Sequence, residues 1–348
     1  MQEETVRPTT MQEEAARAVL PPAVFDYFRA GVGDEVTRGE AEVAWRGWRF
    51  LPRLFRDVSQ VATEIEVLGA RLTAPVLAGP TALHTLAHPE GEAATARGTE
   101  AAGSLLVLSA RAGRPLDEIR PNGPWWFQAY VLRDRGNTER QVRRAAAAGA
   151  SAIVLTADAP YVPRRSVPEA GALAPGARAP GMEQDPALDL TVIAWLADVS
   201  GRPVLVKGVL RPEDAVACVD AGAAGVIVSN HGGRQLDRVI ATAHALGPVV
   251  EAVGRRVPVL VDGGIRDGAD VLTALALGAR AVLIGRPLLW ALATGGADGV
   301  RDCLNFYRAD LARAMAQAGL PTIADVDATV VTRVTGCPQT VISRPLFG

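Results

Sequence analysis

The sequence predicts an α/β protein: a (β/α)8 TIM barrel with an N-terminal helical segment and a short loop between strands 4 and 5. Eight short apolar or β-branched runs alternate with alanine-rich stretches of helical period. Several of those stretches end at a glycine just before the next run, as helices often do. Strands that alternate with helices pair in parallel, and eight such units favour a closed barrel.

The predicted strands are the runs at 76–78, 105–108, 126–131, 152–155, 204–206, 225–228, 259–261 and 281–284. The predicted helices include 92–102, 138–148, 212–221 and 269–277, which are followed by Gly103, Gly149, Gly222 and Gly278. A doubly wound open sheet is the alternative. That fold would need a Gly-x-Gly-x-x-Gly turn after the first strand, which this sequence lacks.

The whole chain, 1–348, is predicted to be a single domain. Residues 1–70 form a helical lead-in, in which Pro21-Pro22 begins a helix that Gly31 and Gly33 end. Residues 75–296 form the barrel, and 297–348 form a C-terminal helix and tail. The Pro/Gly/Ala-rich stretch 167–186 is predicted to be a mobile loop over the barrel mouth, with a plain surface insertion as the alternative. A helix follows near 190–197.

Composition narrows the classes of protein. Hydrophobic residues make up 49% of the chain, enough for a large core, and the net charge of −2 gives no support for a nucleic-acid partner. The three cysteines, Cys218, Cys303 and Cys337, suggest neither a disulfide framework nor a zinc site, so a reducing compartment is expected. No signal peptide or long apolar run is present, and a cytoplasmic protein without membrane contact is predicted.

Polar residues or glycines occur at all eight predicted strand ends, where the chemistry of such barrels gathers. Thr81 follows the first strand, Ser109 the second, and Gln128 and Tyr130 lie on the third. The later ends carry Thr156 and Asp158, Lys207, Ser229 and His231, Asp262-Gly263-Gly264-Ile265-Arg266, and Gly285-Arg286. One such residue would be unremarkable, but eight strand ends together predict a site.

Residues 226–237 read Val-Ile-Val-Ser-Asn-His-Gly-Gly-Arg-Gln-Leu-Asp and place a base, His231, three positions before a cation, Arg234. A surface loop that happens to hold both is the alternative. Glycines with Arg266 and Arg286 at the last two strand ends predict a phosphate site. A buried lysine is costly without an anionic partner, so Lys207 predicts an electron-rich group above it.

Two other histidine positions carry weaker signals. His84 and His88 have the i, i+4 spacing of some metal sites. However, no glutamate lies between them and no third ligand is evident, so a metal site is not expected. The sequence His88-Pro89-Glu90 is better explained as the start of the helix after the first strand. His244 lies on an alanine-rich helical stretch and is predicted to be structural.

Several segments, in one order along the chain, carry a family resemblance. They are Phe25-Asp26-Tyr27, Pro80-Thr81-Ala82, His88-Pro89-Glu90-Gly91-Glu92, Phe127-Gln128-Ala129-Tyr130, Arg164-Arg165, Val206-Lys207-Gly208, Ser229 to Asp237, Asp262-Gly263-Gly264 and Ile284-Gly285-Arg286-Pro287. Together they resemble the FMN-dependent α-hydroxy acid oxidase and dehydrogenase family, over residues 20 to about 319. The resemblance implies a barrel that holds FMN at its mouth.

The resemblance also implies roles for individual residues. His231 would be the active-site base, and Asp158 would orient it. Arg234 and Arg165 would bind the substrate carboxylate, and Tyr27 and Tyr130 would hydrogen-bond the substrate. The residues implied to hold FMN are Pro80, Thr81, Ala82, Ser109, Gln128, Thr156, Lys207, Ser229, Asp262, Gly263, Gly264, Arg266, Gly285 and Arg286. A base near neutral pH and a doubly bound carboxylate suit the oxidation of a 2-hydroxy acid.

Two features depart from the family pattern. Arg111 stands where glycolate oxidase-like members have an aromatic residue beside the substrate side chain, so we expect a substrate with a polar or anionic distal group. Equally open is that Arg111 points to solvent or pairs with Glu118 or another carboxylate. The segment 165–189 is too short for the anchoring insertion of membrane-bound relatives, and no haem domain is expected before the barrel.

These features favour an oxidase that converts an (S)-2-hydroxy acid and O2 into the 2-oxo acid and H2O2. The alternatives are a dehydrogenase with another electron acceptor and a flavin-binding scaffold without turnover. A scaffold would have no use for a base beside a carboxylate-binding pair. The resemblance implies a homo-oligomer, a tetramer in many relatives.

Overall fold

The computed structural model describes residues 8–161, 163, 173 and 183–334. In this part of the chain the strands are β1 (Trp48–Phe50), β2 (Ile65–Val67), β3 (Ala70–Leu72), β4 (Val76–Ala78), β5 (Leu106–Ser109), β6 (Trp125–Ala129), β7 (Ile153–Thr156), β8 (Val204–Val209), β9 (Gly225–Val228), β10 (Val259–Asp262), β11 (Ala281–Ile284) and β12 (Val331–Arg333). Strands β4 to β11 pair in parallel and close into a barrel, so the predicted fold is confirmed.

The helices surround the barrel or precede it. They are α1 (Pro8–Val19), α2 (Pro22–Arg29), α3 (Val36–Trp45), α4 (Gly91–Ala101), α5 (Leu116–Ile119), α6 (Arg135–Ala147), α7 (Thr191–Ser200), α8 (Pro212–Asp220), α9 (Thr242–Val253), α10 (Gly268–Ala276) and α11 (Arg286–Gln317). Short 3-10 turns lie at His84–Leu86, His231–Gly233, Ile323–Asp325 and Ala328–Val330. Each predicted strand and helix overlaps an observed one.

The helix that begins at Pro22 ends at Arg29, with Ala30 as its C-cap, one residue before the predicted end at Ala30. Gly31, which follows the cap, also allows two segments to approach closely. A Cβ built on Gly31 would lie 2.9 Å from the carbonyl oxygen of Gly233. The absence of a side chain lets the segment after α2 approach the turn after β9, and the N–H of Val32 donates to that same Gly233 oxygen at 2.9 Å.

Inward-facing side chains fill the barrel, as the alternation of a strand requires. They form one apolar cluster, to which the barrel strands contribute Leu77, Leu105, Val107, Trp126, Ala152, Val154, Leu205, Ile227, Leu260, Ala281 and Leu283. The antiparallel hairpin of β2 and β3 supplies Ile65, Val67 and Leu72 to the same cluster. The hairpin, which was not predicted, therefore closes the N-terminal end of the barrel.

The C-terminal residues return to the start of the chain. Strand β12 pairs antiparallel with β1, and Val331 lies opposite Phe50. The predicted boundary at 296/297 falls inside α11, next to Gly296, where φ is 56° and the helix bends. The division into segments stays a prediction. Among the helices of the described residues, none is long and apolar enough to cross a membrane.

Some predictions concern residues that the structure does not describe. Arg164, Arg165, most of the 167–186 loop and Cys337 lie outside the described residues. The other two cysteines, Cys218 and Cys303, are buried free thiols. Burial raises the pKa of Cys218 to about 11 and that of Cys303 to about 12, so both thiols stay protonated at neutral pH.

Candidate active site

A layer of polar residues and glycines lies immediately above the apolar barrel filling. Side chains on a strand alternate between its two faces, so every second residue faces the inside of the barrel. Each member of the layer lies two positions after the last inward-facing apolar residue of its strand. This lower tier consists of Gly79, Ser109, Gln128, Thr156, Lys207, Ser229, Asp262 and Gly285. A change from apolar to polar at the same level on all eight strands forms the floor of a cavity.

Hydrogen bonds link neighbouring members of this lower tier. The hydroxyl of Ser109 donates to the side-chain oxygen Oε1 of Gln128 at 3.1 Å. The side-chain nitrogen Nε2 of Gln128 donates to the Thr156 hydroxyl at 2.9 Å. The Lys207 ammonium donates to the Ser229 hydroxyl at 2.8 Å. These side chains are almost fully buried. Their mutual bonds fix their rotamers and offset the cost of burying polar groups.

Lys207 has an anionic partner within the protein, while the electron-rich group predicted above it stays a prediction. Its ammonium lies 3.0 Å from the Asp262 carboxylate. Burial lowers the pKa of Lys207, but Asp262 and then Asp158 raise it by more, so the net pKa lies above the ordinary value. Lys207 is therefore a permanent cation on the floor of the cavity.

An upper tier of four residues follows two positions later on β5, β6, β7 and β9. These residues are Arg111, Tyr130, Asp158 and His231. His231 Nδ1 lies 2.9 Å from Asp158 Oδ1, so the predicted contact between base and carboxylate is present. Because Nδ1 faces the carboxylate, Nε2 is the nitrogen left to accept a proton.

The environment keeps Asp158 ionised. Burial raises the pKa of Asp158, but His231 and then Lys207 lower it by more, so the net pKa is below the usual value. The second carboxylate oxygen, Oδ2, is buried and has no hydrogen-bond partner among the described atoms. An ionised carboxylate at Nδ1 holds the imidazole ring in one orientation.

Arg234 connects the turn after β9 to the C-terminal end of α2. Its Nη1 donates to the carbonyl oxygens of Tyr27, Phe28 and Ala30 at 3.0, 3.1 and 2.8 Å. Its guanidinium carbon also lies 5.3 Å from the centre of the Tyr27 ring. A cation at a helix C-terminus is favourable, and it fixes Tyr27 against the cavity. Both residues line the cavity, while their contact with a substrate carboxylate stays a prediction.

The predicted phosphate end lies where β10 and β11 run into their helices. Gly263 and Gly264 have φ of 90° and 82°, and Trp45 and Thr242 each donate to the Gly263 carbonyl. The Arg266 guanidinium lies 3.0 Å from Glu42. Arg286 donates instead to the carbonyl oxygens of Phe28, Ala30 and Gly232.

Positive charge accumulates at this end of the cavity. Burial lowers the pKa of Arg286 well below its ordinary value, and repulsion by Arg234 and Arg266 lowers it further. A bound anion would offset that repulsion. The predicted phosphate site is therefore compatible with the charges of these residues.

Arg111 and Tyr130 form a second arginine–tyrosine pair, just beyond the ends of β5 and β6. The guanidinium carbon of Arg111 lies 4.8 Å from the centre of the Tyr130 ring. The predicted alternative that Arg111 pairs with Glu118 is wrong, because Glu118 accepts from Arg114 at 2.9 Å. Burial raises the pKa of Tyr130, partly offset by Arg111, so the phenol stays protonated at neutral pH.

The histidines considered for a metal site have other partners. The ring nitrogens of His84 lie 2.6 Å from the Thr81 hydroxyl and 2.8 Å from the Thr95 hydroxyl. His84 therefore positions Thr81, which lines the cavity with its neighbours Pro80 and Ala82. The N–H of Glu90 donates to the Nδ1 atom of His88 at 3.2 Å, next to the start of α4.

Sequence reasoning missed some cavity residues. Gly79 has the same offset from its strand as the other lower-tier members and could have been found by that rule. Gln184 and Gln235 also line the cavity, but nothing in the sequence distinguishes them from ordinary polar residues. Trp45 and Thr242 hold the Gly263 turn from distant segments, a contact that no local pattern indicates.

A cavity bounded by these two tiers at the C-terminal end of a closed barrel is the expected place for a cofactor-dependent active site. A family model described as FMN-dependent dehydrogenase matches residues 16–333. The chain therefore belongs to the FMN-dependent dehydrogenase family.

Individual relatives are similar over almost their full length. L-lactate oxidase of Nostoc sp. is 40% identical over 90% of this chain and 95% of its own. Glycolate oxidase 1 of Oryza sativa subsp. indica is 41% identical over 89% of this chain and 91% of its own. A solved structure of a mandelate oxidase variant with (S)-mandelic acid has a TM-score of 0.88 and 40% identity, covering 96% of this chain and 100% of that one.

The residues of the cavity fit FMN, the cofactor of this family. Asp262 Oδ1 is buried without a hydrogen-bond partner among the described atoms and can accept from a ribityl hydroxyl. A Cβ on Gly285 would meet only Thr81, at 3.6 Å, so the turn leaves room for a phosphate. Arg266 and the lower tier would hold the phosphate and the ring.

Proposed function

We propose that this protein oxidises an (S)-2-hydroxy acid to the 2-oxo acid and transfers the electrons to O2, giving H2O2. The observation that carries the proposal is the His231–Asp158 hydrogen bond of 2.9 Å in the same cavity as Arg234. The substrate loses two electrons and two protons, and O2 gains both. The names of the relatives, oxidases of lactate, glycolate and mandelate, support the substrate class and the acceptor.

His231 removes the proton from the substrate hydroxyl. Its Nε2 accepts the proton while Nδ1 stays hydrogen-bonded to Asp158, whose negative charge stabilises the imidazolium. His231 reaches this position with a left-handed φ of 55°, and its N–H donates to the Ser229 hydroxyl at 3.1 Å. The lower tier therefore also sets the position of the base.

Arg234 binds the substrate carboxylate, with Tyr27 beside it. The guanidinium is already oriented by the carbonyl oxygens at the end of α2, so little side-chain entropy is lost on binding. Tyr130, protonated at neutral pH, donates its phenolic hydrogen to the substrate. Arg165 is proposed as the second carboxylate ligand, on the strength of the family resemblance alone.

When bound, FMN would supply the two-electron acceptor needed as the hydrogen leaves the substrate Cα, and would link this oxidation to the reduction of O2. The Lys207 ammonium provides a fixed positive charge beneath that site, held by Asp262 and Ser229. A charge that is present before the reaction stabilises developing negative charge without reorganisation. The remaining lower-tier residues hold the cofactor through the hydrogen-bonding groups described above.

Two experiments test this proposal. Purified protein is first examined for a flavin absorbance spectrum, then mixed anaerobically with glycolate, (S)-lactate and (S)-mandelate. Bleaching of the flavin by at least one acid is expected, and admission of air should restore the colour and release H2O2. Bleaching without rapid recovery in air would favour the dehydrogenase alternative. Protein that binds FMN but is never bleached would favour a scaffold.

We also propose a homo-oligomer, a tetramer by resemblance. Leu51, Leu54 and Phe55 are exposed within five residues, and Phe55 is fully exposed. Exposed large apolar side chains close together favour burial against a partner. Light scattering of the purified protein tests the assembly: a monomeric mass at micromolar concentration contradicts it. The cytoplasmic location stays a prediction.

A further inference from the structure

Arg111 differs from the other cationic residues of the cavity in how its backbone and side chain are held. Its backbone is fixed, because its N–H donates to the Ser109 hydroxyl and its carbonyl accepts from Leu83 N–H, both at 3.1 Å. The half-buried side chain lines the cavity over the ring of Tyr130. Arg111 is therefore presented to the ligand space from a rigid base, in the same tier as His231.

The other cavity cations have partners for their charged groups. Lys207 is paired with Asp262 and Arg266 with Glu42, each at 3.0 Å. Arg234 and Arg286 both donate to carbonyl oxygens at the end of α2. For Arg111, no carboxylate of the described residues lies within 4.0 Å of the guanidinium, and Glu118 is bound by Arg114. A half-buried guanidinium of this kind favours an anionic ligand.

The cavity also repeats one arrangement. Arg234 lies 5.3 Å from the ring of Tyr27, and Arg111 lies 4.8 Å from the ring of Tyr130. In each pair an aromatic ring lies beside a guanidinium. For Arg111, the stacking on Tyr130 orients the guanidinium for a bidentate contact with a carboxylate. Both arginine–tyrosine pairs line the same cavity, which His231 also lines.

We propose that the substrate is a dicarboxylic 2-hydroxy acid whose distal carboxylate binds Arg111. This inference rests on the proposed function, in which Arg234 binds the carboxylate next to the hydroxyl-bearing carbon. Tyr130 holds the Arg111 guanidinium by its ring and the substrate by its hydroxyl. The distal carboxylate then offsets the remaining positive charge of the upper tier.

The first test compares substrates of equal chain length. (S)-Malate is measured against (S)-2-hydroxybutyrate, and (S)-2-hydroxyglutarate against (S)-2-hydroxyvalerate. We expect the wild-type kcat/KM to favour one dicarboxylic acid by about 10- to 100-fold, the range for a hydrogen bond between charged groups. Arg111→Leu should lower kcat/KM for the dicarboxylic acid by at least 10-fold more than for the monocarboxylic acid of equal length, and Arg111→Lys should retain part of the preference.

Arg114→Ala is the matched control, since Arg114 lies three residues away and binds Glu118 instead of lining the cavity. A second measurement, independent of turnover, uses glutarate and valerate as ligands that cannot be oxidised. Calorimetry on the FMN-loaded protein should give a Kd for glutarate that rises about 10-fold or more in Arg111→Leu. The Kd for valerate should rise by a smaller factor than the Kd for glutarate.

The outcomes separate this inference from the proposed function. If no 2-hydroxy acid bleaches the flavin of the wild type, the proposed function fails. If monocarboxylic acids bleach it and Arg111→Leu leaves the substrate ranking unchanged, the inference fails and the proposed function stands. Equal losses for mono- and dicarboxylic acids in Arg111→Leu would mean that Arg111 binds the carboxylate beside the hydroxyl, which also overturns the inference.

Discussion

His231 is held in a left-handed backbone conformation, with φ of 55°, directly after β9. Such a conformation costs a residue with a Cβ roughly 1–2 kcal/mol. Local hydrogen bonds offset this cost: His231 N–H donates to Ser229, and Gly232 N–H donates to the Asn230 side chain at 3.2 Å. Strained backbone conformations of this kind are common at active sites, and the strain at His231 is compatible with a catalytic role.

Replacing the base should abolish chemistry but leave the flavin bound. We expect His231→Gln to lower the rate of anaerobic flavin reduction by roughly 10²- to 10⁴-fold, the usual contribution of a general base. Asp158→Asn should also lower it, because the imidazolium then loses its anionic partner. Stopped-flow absorbance measures the rate, and the spectrum before mixing reports FMN content.

His244→Gln is the matched control for that experiment. His244 lies on α9 and contacts Arg333 at 3.3 Å, away from the cavity, so its replacement should leave the rate unchanged. Retention of the wild-type rate by His231→Gln would exclude His231 as the base.

Arg266 should distinguish FMN from riboflavin, which lacks the phosphate. We expect Arg266→Gln to raise the Kd for FMN by roughly 10- to 100-fold, because a charged hydrogen bond to phosphate is lost. The Kd for riboflavin should not change. Quenching of flavin fluorescence on titration of the apoprotein measures both constants, with Arg256→Gln, an exposed arginine paired with Asp220, as the control. Equal losses for both flavins would place the phosphate elsewhere.

At the level of elements, the turn after β9 is joined to the segment between α2 and α3. The Asp237 carboxylate accepts from the backbone N–H groups of Asp34 and Thr37, each at 2.9 Å. Val239 N–H donates to the Thr37 hydroxyl at 2.9 Å. Since the same turn carries His231 and Arg234, these bonds connect the N-terminal helices to the catalytic turn.

The stability of this contact should depend on pH. The N–H of Thr37 is the largest cause that lowers the pKa of Asp237. Because the folded-state pKa is lowered, the stabilisation is fully present above the unfolded-state value of about 3.9 and is lost as the pH falls through the folded-state value. The protection factors of the Asp34 and Thr37 amides, which correct for the intrinsic pH dependence of exchange, should therefore fall at low pH in the wild type.

Asp237→Asn removes the titrating group and should accelerate exchange of the same amides already at neutral pH. Asp220→Asn, which replaces an exposed carboxylate paired with Arg256, is the control and should leave them protected. Unchanged protection of both amides in Asp237→Asn would show that the carboxylate does not hold the two segments together.

At the level of the whole molecule, the hairpin that closes the barrel and the candidate active site lie at opposite ends of the barrel. The β2–β3 hairpin closes the N-terminal end with Ile65, Val67 and Leu72, all buried. The polar tiers occupy the C-terminal end. The apolar layers of the barrel separate the two, as is general for this fold.

Leu72→Ala should therefore destabilise the protein without changing catalysis. The loss of a buried leucine side chain costs roughly 2–5 kcal/mol of unfolding free energy, measured by urea denaturation. KM and kcat should stay unchanged well below the unfolding midpoint. Arg71→Ala, whose side chain is 91% exposed on the same hairpin, should be neutral in both assays. A change in KM in Leu72→Ala would mean that the two ends are coupled.

The barrel and most of its site residues could be predicted because both follow from local patterns. Eight buried strands with intervening helices leave few other folds, and polar residues two positions past each inward apolar residue indicate the lower tier. The β2–β3 hairpin was missed, although positive φ values at Leu68 and Gly69 mark a tight turn there. In a sequence, three-residue strands give too short an alternation to stand out.

The sequence by itself determined which side chains meet at the barrel mouth, because alternation along a strand fixes which residues face inward. Only the tertiary structure decided how they pair. Lys207 pairs with Asp262, which lies on a strand that is not a neighbour of β8, and Glu118 pairs with Arg114 and not with Arg111. Such partners depend on barrel closure and on rotamers, which bring together residues far apart in the chain. The sequence therefore identifies the residues of the site, and the folded structure determines which of its charged groups pair with each other.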